Sequence, residues 1–451
     1  MSHKVTAEFR FEVGWVSARS VLVLIAFCLV LFSGYAIGQP MPSQPKESPR
    51  QQLANAKLGL FVHYVFGLTQ AAPGSSPIAN VNDFCDSLDV SNIANMAKTM
   101  GAQYVVFTSM HWRMTLLYPS EVWGEIYPDH VCRRDVIGAL AQALATVHIP
   151  LILYVHPDDR HDFTQPMLQN LFHAGFSSPS FSGGEPYDPQ WNQLYYRLLN
   201  EVGQRYGNEI AGYWEDDGGG SSDGVTVQSI MERYTPGAAV WVNGNASYPP
   251  ATLIGSENGN LFDTNPAPHL YNTSGDQRAI VIANQWYASQ GLLTYTPASM
   301  YRFLICSIGT KGEDNGGVVY ATSPYSDNQW ESGVAEGLTG LGKLIRSNAK
   351  AIYNTVPSHV YVSGEDATHK PKWGVAVDSP DGKTVYLHVL MAPSGQTLEI
   401  GKPANNVTFS KAALLDGTAI TIKADDSGYR LTLPNGTKWN GVDTVIALSV
   451  E

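Results

Sequence analysis

The chain has 451 residues, of which 44% are hydrophobic, 11% are aromatic and only 15% are charged. This length allows two to four domains, or one large barrel with an accessory domain, and the composition excludes a disordered chain. The formal net charge of −12 argues against a nucleic-acid partner, because no basic excess is available to neutralise phosphates.

The N-terminal segment has the pattern of a signal peptide. Basic residues precede an apolar run at 21–32, and Ala36 and Gly38 suit the −3 and −1 positions of a signal-peptidase site. The run is shorter than the roughly 20 residues that a transmembrane helix needs. We therefore expect 1–38 to be removed, which predicts a secreted or periplasmic protein that is not membrane-bound; an uncleaved anchor is the alternative.

Residues 39–356 alternate short apolar runs with amphipathic stretches. Apolar strands that alternate with helices indicate a parallel sheet buried on both faces, and about eight strands favour a TIM-like (β/α)8 barrel. A dinucleotide-binding fold is not expected, because no Gly-x-Gly-x-x-Gly follows the first strand. The predicted strands are 57–66, 102–111, 149–157, 210–220, three runs between 238 and 287, and 316–324; the predicted helices are 91–101, 133–147, 191–207, 299–312 and 330–354.

Residues 357–451 have a different pattern, that of a C-terminal antiparallel β-sandwich. Short alternating strands are separated by Gly, Asp, Asn and Pro turns. No group of aromatic residues suggests a sugar-binding platform, so we expect this domain to pack on the barrel as a stabilising partner. The predicted strands are 359–363, 372–379, 384–391, 397–400, 407–415, 429–434 and 443–450.

Cysteines are few. Cys28 lies in the predicted signal peptide, which leaves Cys85, Cys132 and Cys306. Three cysteines permit one disulfide at most, and Cys85–Cys132 is the pair to consider. No Cys-x-x-Cys spacing indicates a zinc or redox site, and the sequence predicts neither a metal nor a cofactor.

The predicted strand ends bring together polar and aromatic side chains. In a (β/α)8 barrel the working residues lie at the C-terminal ends of the strands. Carboxylates that flank a sugar, with aromatic rings beneath it, are typical of glycoside hydrolysis. Each residue also has a plainer interpretation: a histidine bonded to a loop, a tryptophan in the core, or an acid in an exposed turn. The strand-end residues are His63, His111, Trp112, Tyr154, His156, Trp214, Glu215, Asp216, Asp217, Asn243, Glu257, Trp286 and Tyr287.

Several stretches contain motifs of one family. KLGLFVHYVFG at 57–67 is similar to a first-strand KFGxFxHWG pattern, GYWEDDGG at 212–219 to a WxDG element, and 341–355 to a GxWLxxNGEAIYxT ending. These motifs resemble those of the α-L-fucosidases of glycoside hydrolase family 29, and the resemblance runs from Lys57 to Thr355. It implies a barrel followed by a β-sandwich.

The resemblance implies roles for individual residues. Asp216 matches the nucleophile, and Glu257, on a later strand end, is the candidate acid/base. Trp112 stands where the family has a second histidine, and the arginine expected after Asn243 is absent. The predicted substrate-binding residues are His63, His111, Trp112, Tyr154, Trp214, Asn243 and Trp286.

The sequence therefore predicts a secreted retaining exo-glycosidase that hydrolyses a terminal α-L-fucoside, or a related sugar, of an oligosaccharide or glycoconjugate by double displacement. One alternative is a non-catalytic glycan-binding protein on a degenerate barrel. Another is the same mechanism with a different sugar. We expect Trp112 to form a wall of the sugar pocket and shift specificity; the alternative is that it packs with Met110 and Met114.

Overall fold

The structure is a computed structural model. Three sequence predictions, the signal peptide at 1–38, Trp112 and Asp217, lie outside the residues that it describes. At positions 254, 256, 257, 276 and 278 it describes the backbone alone. The described ranges are 48–111, 113–156, 163–177, 189–216, 223–243, 251–257, 276–309, 317–362 and 372–451.

Among the described residues, eight parallel strands form the sheet of the first domain. Because β1 pairs with β2 on one side and with β9 on the other, the strands follow one another around a ring. This confirms the predicted barrel-like domain. A short strand, β3 (Thr115–Leu116), adds an antiparallel hairpin to the end of β2. The parallel strands are β1 (Leu58–Val62), β2 (Tyr104–His111), β4 (Leu151–Val155), β5 (Gly212–Glu215), β6 (Ala239–Asn243), β7 (Leu253–Glu257), β8 (Asp276–Val281) and β9 (Gly317–Ala321).

Helices connect most of these strands. Residues 244–252 connect β6 to β7, two strands between which the sequence predicted no helix. Helices α1, α2, α4, α6 and α8 were not predicted. The helices are α1 (Pro49–Ala54), α2 (Val81–Ser87), α3 (Val90–Met100), α4 (Glu121–Gly124), α5 (Val136–Ala145), α6 (Gln165–His173), α7 (Pro189–Tyr206), α8 (Gly224–Tyr234), α9 (Pro297–Gly309) and α10 (Val334–Asn348).

The ends of α3 show how the sequence limits a helix. The side chain of Asp89 accepts a hydrogen bond from the backbone N–H of Ser91 and so caps the first turn. Gly101 ends the helix with a φ of 85°, a left-handed conformation that glycine adopts without a steric penalty. The following strand, β2, can therefore begin three residues later.

Alternation along each strand divides its side chains between two buried clusters. In β1, Phe61 belongs to the cluster that fills the barrel, together with Tyr104 and Trp241. Leu60 and Val62, its neighbours in sequence, belong to the cluster between the strands and the helices. The barrel interior is therefore packed with side chains, and a substrate must bind at a rim.

The second domain consists of antiparallel strands in the order β10-β11-β12-β17-β14-β15-β16-β13. Strand β15 joins the two layers, because Ile420 pairs with β14 whereas Thr421 pairs with β16. This strand was not predicted, and the predicted strand at 359–363 is not a strand in its described part, residues 359–362. The strands are β10 (Val356–Pro357), β11 (Gly374–Asp378), β12 (Thr384–Val389), β13 (Thr397–Gly401), β14 (Phe409–Leu414), β15 (Ala419–Asp425), β16 (Gly428–Thr432) and β17 (Thr444–Val450).

A buried polar network joins this domain to the barrel helices. In His388 of β12, Nδ1 is 2.6 Å from Oδ2 of Asp443, and Nε2 is 3.0 Å from the carbonyl oxygen of Ala351. The hydroxyl of Tyr301, on α9, donates to Oδ2 of Asp443 at 2.7 Å and accepts a hydrogen bond from Asn348. The β domain therefore packs against the barrel through a buried hydrogen-bond network.

The one disulfide among the described residues joins Cys85 to Cys132, the pair considered from the sequence. It connects α2 to the segment before α5, with 6.1 Å between the Cα atoms, and Cys306 is buried and free. Within the described part of the chain, no helix is long and apolar enough to cross a membrane.

Candidate active site

The ring of parallel strands brings most of the predicted site residues to one rim. Each stands at, or directly after, the C-terminal end of its strand, where barrel enzymes place their working side chains. The residues on this rim are His63 after β1, His111 at the end of β2, Tyr154 and His156 at the end of β4, Asp216 after β5 and Asn243 at the end of β6.

Asp216 is held by a hydrogen bond to each carboxylate oxygen. The amide Nδ2 of Asn243 donates to Oδ1 at 2.7 Å, and the hydroxyl of Tyr154 donates to Oδ2 at 2.5 Å. Its backbone N–H donates to the carbonyl of Val155 at 3.1 Å. The side chain is 18% exposed, so the carboxylate is fixed in orientation but open to a substrate. Two neutral donors therefore hold the two oxygen atoms of this carboxylate.

The neighbouring acid, Glu215, points to the other side of the strand. It is fully buried, and its Oε1 accepts a hydrogen bond from the hydroxyl of Tyr195 on α7 at 3.0 Å. Successive residues of a strand face opposite sides of a sheet. This alternation explains why Asp216, and not Glu215, reaches the rim.

His156 lies beside the Asp216 carboxylate. Its Nε2 is 4.0 Å from Oδ2 of Asp216, and its ring is edge-on to that of His111 with 4.8 Å between centroids. The residue is 4% exposed. The sequence analysis placed His156 on the rim but gave it no role; its spacing of two residues from Tyr154 on one strand was the signal that both face the same side.

His63 is a buried, neutral histidine at the base of the rim. Its Nδ1 is 2.6 Å from Oγ1 of Thr108, and its ring is 4.5 Å from that of Tyr154. Burial, and then the neighbouring charges of His111 and His156, lower the pKa of His63 well below its usual range. At neutral pH the ring is therefore an uncharged hydrogen-bonding group.

A β-bulge directs His111 toward the site. Strand β2 pairs with β4 in register as far as Thr108, which lies opposite Tyr154, and the next pair is Met110 with Val155. Ser109 is therefore an extra residue, and its Oγ donates to the carbonyl of Tyr154 at 2.8 Å. Met110 consequently packs outside the barrel, and His111 contacts His63 and His156 inside the rim.

Aromatic rings line the site beside His63. Phe61 stacks on His63 at 4.6 Å, and the half-buried Trp286 lies 5.6 Å from His63 and 5.7 Å from Phe61. Trp286 therefore lies where a sugar could stack on it. Trp214 is fully buried among the side chains of the barrel interior, 5.4 Å from Phe61 and 5.8 Å from Trp241. It packs below the rim residues.

Gly255 of β7 leaves space for the side chains of Trp214 and Asn243. A Cβ atom at position 255 would lie 2.9 Å from the Trp214 ring and 3.1 Å from Oδ1 of Asn243. Both distances are closer than side chains tolerate without displacement. The absence of a side chain therefore allows Asn243 to hold the position from which it donates to Asp216.

Glu257 is the last residue of β7, and its backbone pairs with Ala279 of β8. This places it on the same rim as Asp216, but its side chain lies outside the described residues, as do Trp112 and Asp217. The acid/base role of Glu257 and the wall formed by Trp112 stay predictions. In the part of the chain that is described, no three His, Cys, Asp or Glu side chains come together as a metal site requires.

Comparison with known proteins places this site in a familiar fold. The alpha-L-fucosidase family profile matches residues 82–291. Alpha-L-fucosidase 1 of Arabidopsis thaliana is 25% identical over 262 residues, which are 52% of this chain and 47% of the plant protein. The chain thus matches about half the length of this curated relative.

Solved structures extend the similarity to the whole fold. Alpha-L-fucosidase isoenzyme 1 from Paenibacillus thiaminolyticus superposes with a TM-score of 0.68 at 17% identity, covering 89% of this chain and 99% of that one. The alpha-L-fucosidase GH29 from Bacteroides thetaiotaomicron gives 0.65 at 19% identity, covering 91% and 97%. In its sequence motifs and in its fold, this chain resembles the α-L-fucosidases of glycoside hydrolase family 29.

Proposed function

We propose that the chain is a retaining exo-glycosidase of the α-L-fucosidase type. The Asp216 carboxylate would attack the anomeric carbon of a terminal α-L-fucoside while protonated Glu257 donates its proton to the leaving oxygen. Glu257 would then remove a proton from water, which hydrolyses the glycosyl ester and frees Asp216. The observation that supports this proposal best is the Asp216 carboxylate, fixed by Tyr154 and Asn243 on the open rim.

The hydrogen bonds from Tyr154 and Asn243 suit a carboxylate that is the nucleophile in the first step and the leaving group in the second. A carboxylate that accepts hydrogen bonds from two donors keeps its orientation, which favours in-line attack. The same donors stabilise the carboxylate when the glycosyl ester breaks down in the second step. Tyr154 and Asn243 are therefore proposed as residues that position and stabilise Asp216 through both displacements.

The surroundings suit a deoxy sugar. The half-buried Trp286 presents a ring surface beside His63, and apolar rings pack well on C–H-rich sugar faces and on a methyl group. His63 and His111 provide nitrogen atoms for sugar hydroxyls. The relatives' names support the same substrate class, and one solved structure from Bacteroides thetaiotaomicron is a trapped covalent intermediate with 2-fluoro-fucosyl fluoride.

Export is part of the proposal. The pattern at 1–38 is that of a signal peptide, and a disulfide between Cys85 and Cys132 is consistent with an oxidising compartment. We propose a mature chain with the catalytic barrel at 39–356 and the β-sandwich at 357–451. N-terminal sequencing of the exported protein tests this, and a mature chain that begins before the apolar run would contradict it.

The central experiment is hydrolysis of an aryl α-L-fucoside by the full chain and by Asp216→Ala. We expect the parent to release fucose with retained configuration, seen by NMR within the first minutes, and the variant to lose at least about 10³-fold in kcat/KM. Asp381→Asn, which changes an exposed acid of the β domain, is the control and should keep full activity. Inverted product, or a fully active Asp216→Ala, would overturn the mechanism.

A substrate panel separates the two alternatives. Trp112 in place of the family's second histidine favours a changed sugar preference, so other aryl deoxyhexosides and pentosides are assayed alongside the fucoside. Turnover of another sugar in preference to fucose would retain the mechanism and correct the substrate. Calorimetric binding of glycans without turnover of any glycoside would identify a glycan-binding protein.

A further inference from the structure

His156 is the rim residue that the proposed chemistry has not used. It comes two residues after Tyr154, and its Nε2 lies 4.0 Å from Oδ2 of Asp216. Its ring centroid lies 4.8 Å from that of His111. We propose that His156 binds the substrate hydroxyl on the carbon next to the anomeric carbon, and that this contact strengthens during catalysis. The inference rests on the proposed function, because it assigns a ligand within the same site.

The distance from His156 to Asp216 leaves space for one oxygen atom of a ligand between them. At 4.0 Å, Nε2 and Oδ2 are too far apart for a direct hydrogen bond, which ends near 3.2 Å. One oxygen atom between them can lie about 2.7–3.0 Å from both. A hydroxyl there donates to the carboxylate and accepts from the N–H of the imidazole, so both groups suit a sugar hydroxyl.

The position of the nucleophile identifies which hydroxyl this is. Asp216 must approach the anomeric carbon closely enough to form a bond with it. The hydroxyl on the adjacent ring carbon is then the substrate hydroxyl nearest to the same carboxylate. Hydrogen bonds to this hydroxyl strengthen as the ring acquires oxocarbenium character in the transition state.

The packing of His156 keeps its nitrogen in place. The ring is 4% exposed and lies edge-on against His111, which the bulge at Ser109 holds inside the rim. A histidine confined by its neighbours loses little conformational freedom when the substrate binds. We therefore expect its contact to raise kcat more than it lowers KM.

The test compares two substrates that differ in this hydroxyl alone: an aryl α-L-fucoside and its 2-deoxy counterpart. We expect His156→Ala to lower kcat/KM on the fucoside by about 10-fold, as the loss of one hydrogen bond to a sugar hydroxyl does, and on the 2-deoxy substrate by less than about threefold. His156→Gln, whose amide N–H has a similar reach, should recover part of the loss. His173→Ala, at an exposed histidine of α6, is the control and should resemble the parent.

The outcomes distinguish failure of the role of His156 from failure of the proposed function. An equal loss on both substrates, with no recovery in His156→Gln and a lower Tm, would show that His156 only supports the fold and would overturn the inference. Unchanged kcat/KM in His156→Ala on both substrates would also overturn it and leave the proposed function intact. If the parent protein hydrolyses neither substrate nor any member of the glycoside panel, the proposed function fails, and the inference fails with it.

Discussion

The hydroxyl of Tyr154 donates a 2.5 Å hydrogen bond to Oδ2 of Asp216, although Tyr154 is on β4 and Asp216 follows β5, 62 positions further along the chain. The register of β4 and β5 explains the contact, because Tyr154 pairs with Trp214, two residues before Asp216. The orientation of the candidate nucleophile therefore depends on the pairing of two neighbouring barrel strands.

Removal of this hydroxyl tests the contact. Tyr154→Phe leaves the ring in place but removes a donor to an anion, a hydrogen bond worth about 1.5–3 kcal/mol. We expect kcat/KM on an aryl fucoside to fall by roughly 10- to 150-fold with little change in Tm. The matched control is Tyr195→Phe, whose hydroxyl bonds Glu215 outside the rim. That variant should lose stability and keep most of its activity; the reverse pattern would contradict the assignment.

Gly255→Ala tests the position of Asn243 without changing any polar group. The new methyl group would lie within 3.1 Å of both the Trp214 ring and Asn243 Oδ1, so one of them must move. We expect about a tenfold or greater loss in kcat/KM and destabilisation of about 1–3 kcal/mol from overpacking. Gly395→Ala, where a methyl group would meet no atom within 4 Å, is the control. Full activity of Gly255→Ala would show that Asn243 does not depend on this space.

The disulfide should contribute to stability rather than to chemistry. It closes a loop between positions separated by 47 residues, which in the chain-entropy account is worth up to about 4 kcal/mol. The double variant Cys85→Ser/Cys132→Ser should unfold at a lower urea concentration, by roughly 2–4 kcal/mol in the free energy of unfolding, with kcat/KM within about twofold of the parent. An unchanged midpoint in urea would contradict the expectation.

The buried pair of His388 and Asp443 should make stability depend on pH. Burial alone would lower the pKa of His388, but the charge of Asp443 and the hydrogen bonds to Asp443 and the Ala351 carbonyl outweigh it, and the pKa is raised above 6.5. The folded protein thus keeps a proton that the unfolded chain loses. The contribution is complete below pH 6.5 and is lost as pH rises through the folded pKa.

Urea denaturation from pH 5.5 to 9 measures this dependence. His388→Gln should be less stable than the parent by about 3–5 kcal/mol at pH 6, because it leaves the buried Asp443 without its charged partner. The difference should shrink as pH rises. Other groups that face the pair are Tyr301 and Asn348, and Tyr301→Phe serves as a control that keeps the histidine. A difference that is constant with pH would contradict the assignment of the proton to His388.

The sequence predicted the long apolar strands and most of the residues on the rim of the barrel. Strand ends such as His63, Asp216 and Asn243 follow directly from the alternation of buried runs with helices. Two features were not visible. Strand β15 alternates apolar residues with lysine, threonine and aspartate and is mostly exposed, so its burial pattern is weak. The bulge at Ser109 depends on pairing with β4, which no local pattern records.

That bulge also determines how this part of the chain responds to insertions and deletions. Loss of the extra residue Ser109 would let Met110 and His111 continue the regular pairing after Thr108, so both would keep their faces. Loss of two residues between Thr108 and His111 would instead turn the imidazole toward the helices. Tolerance in this segment should therefore depend on whether an odd or an even number of residues is removed.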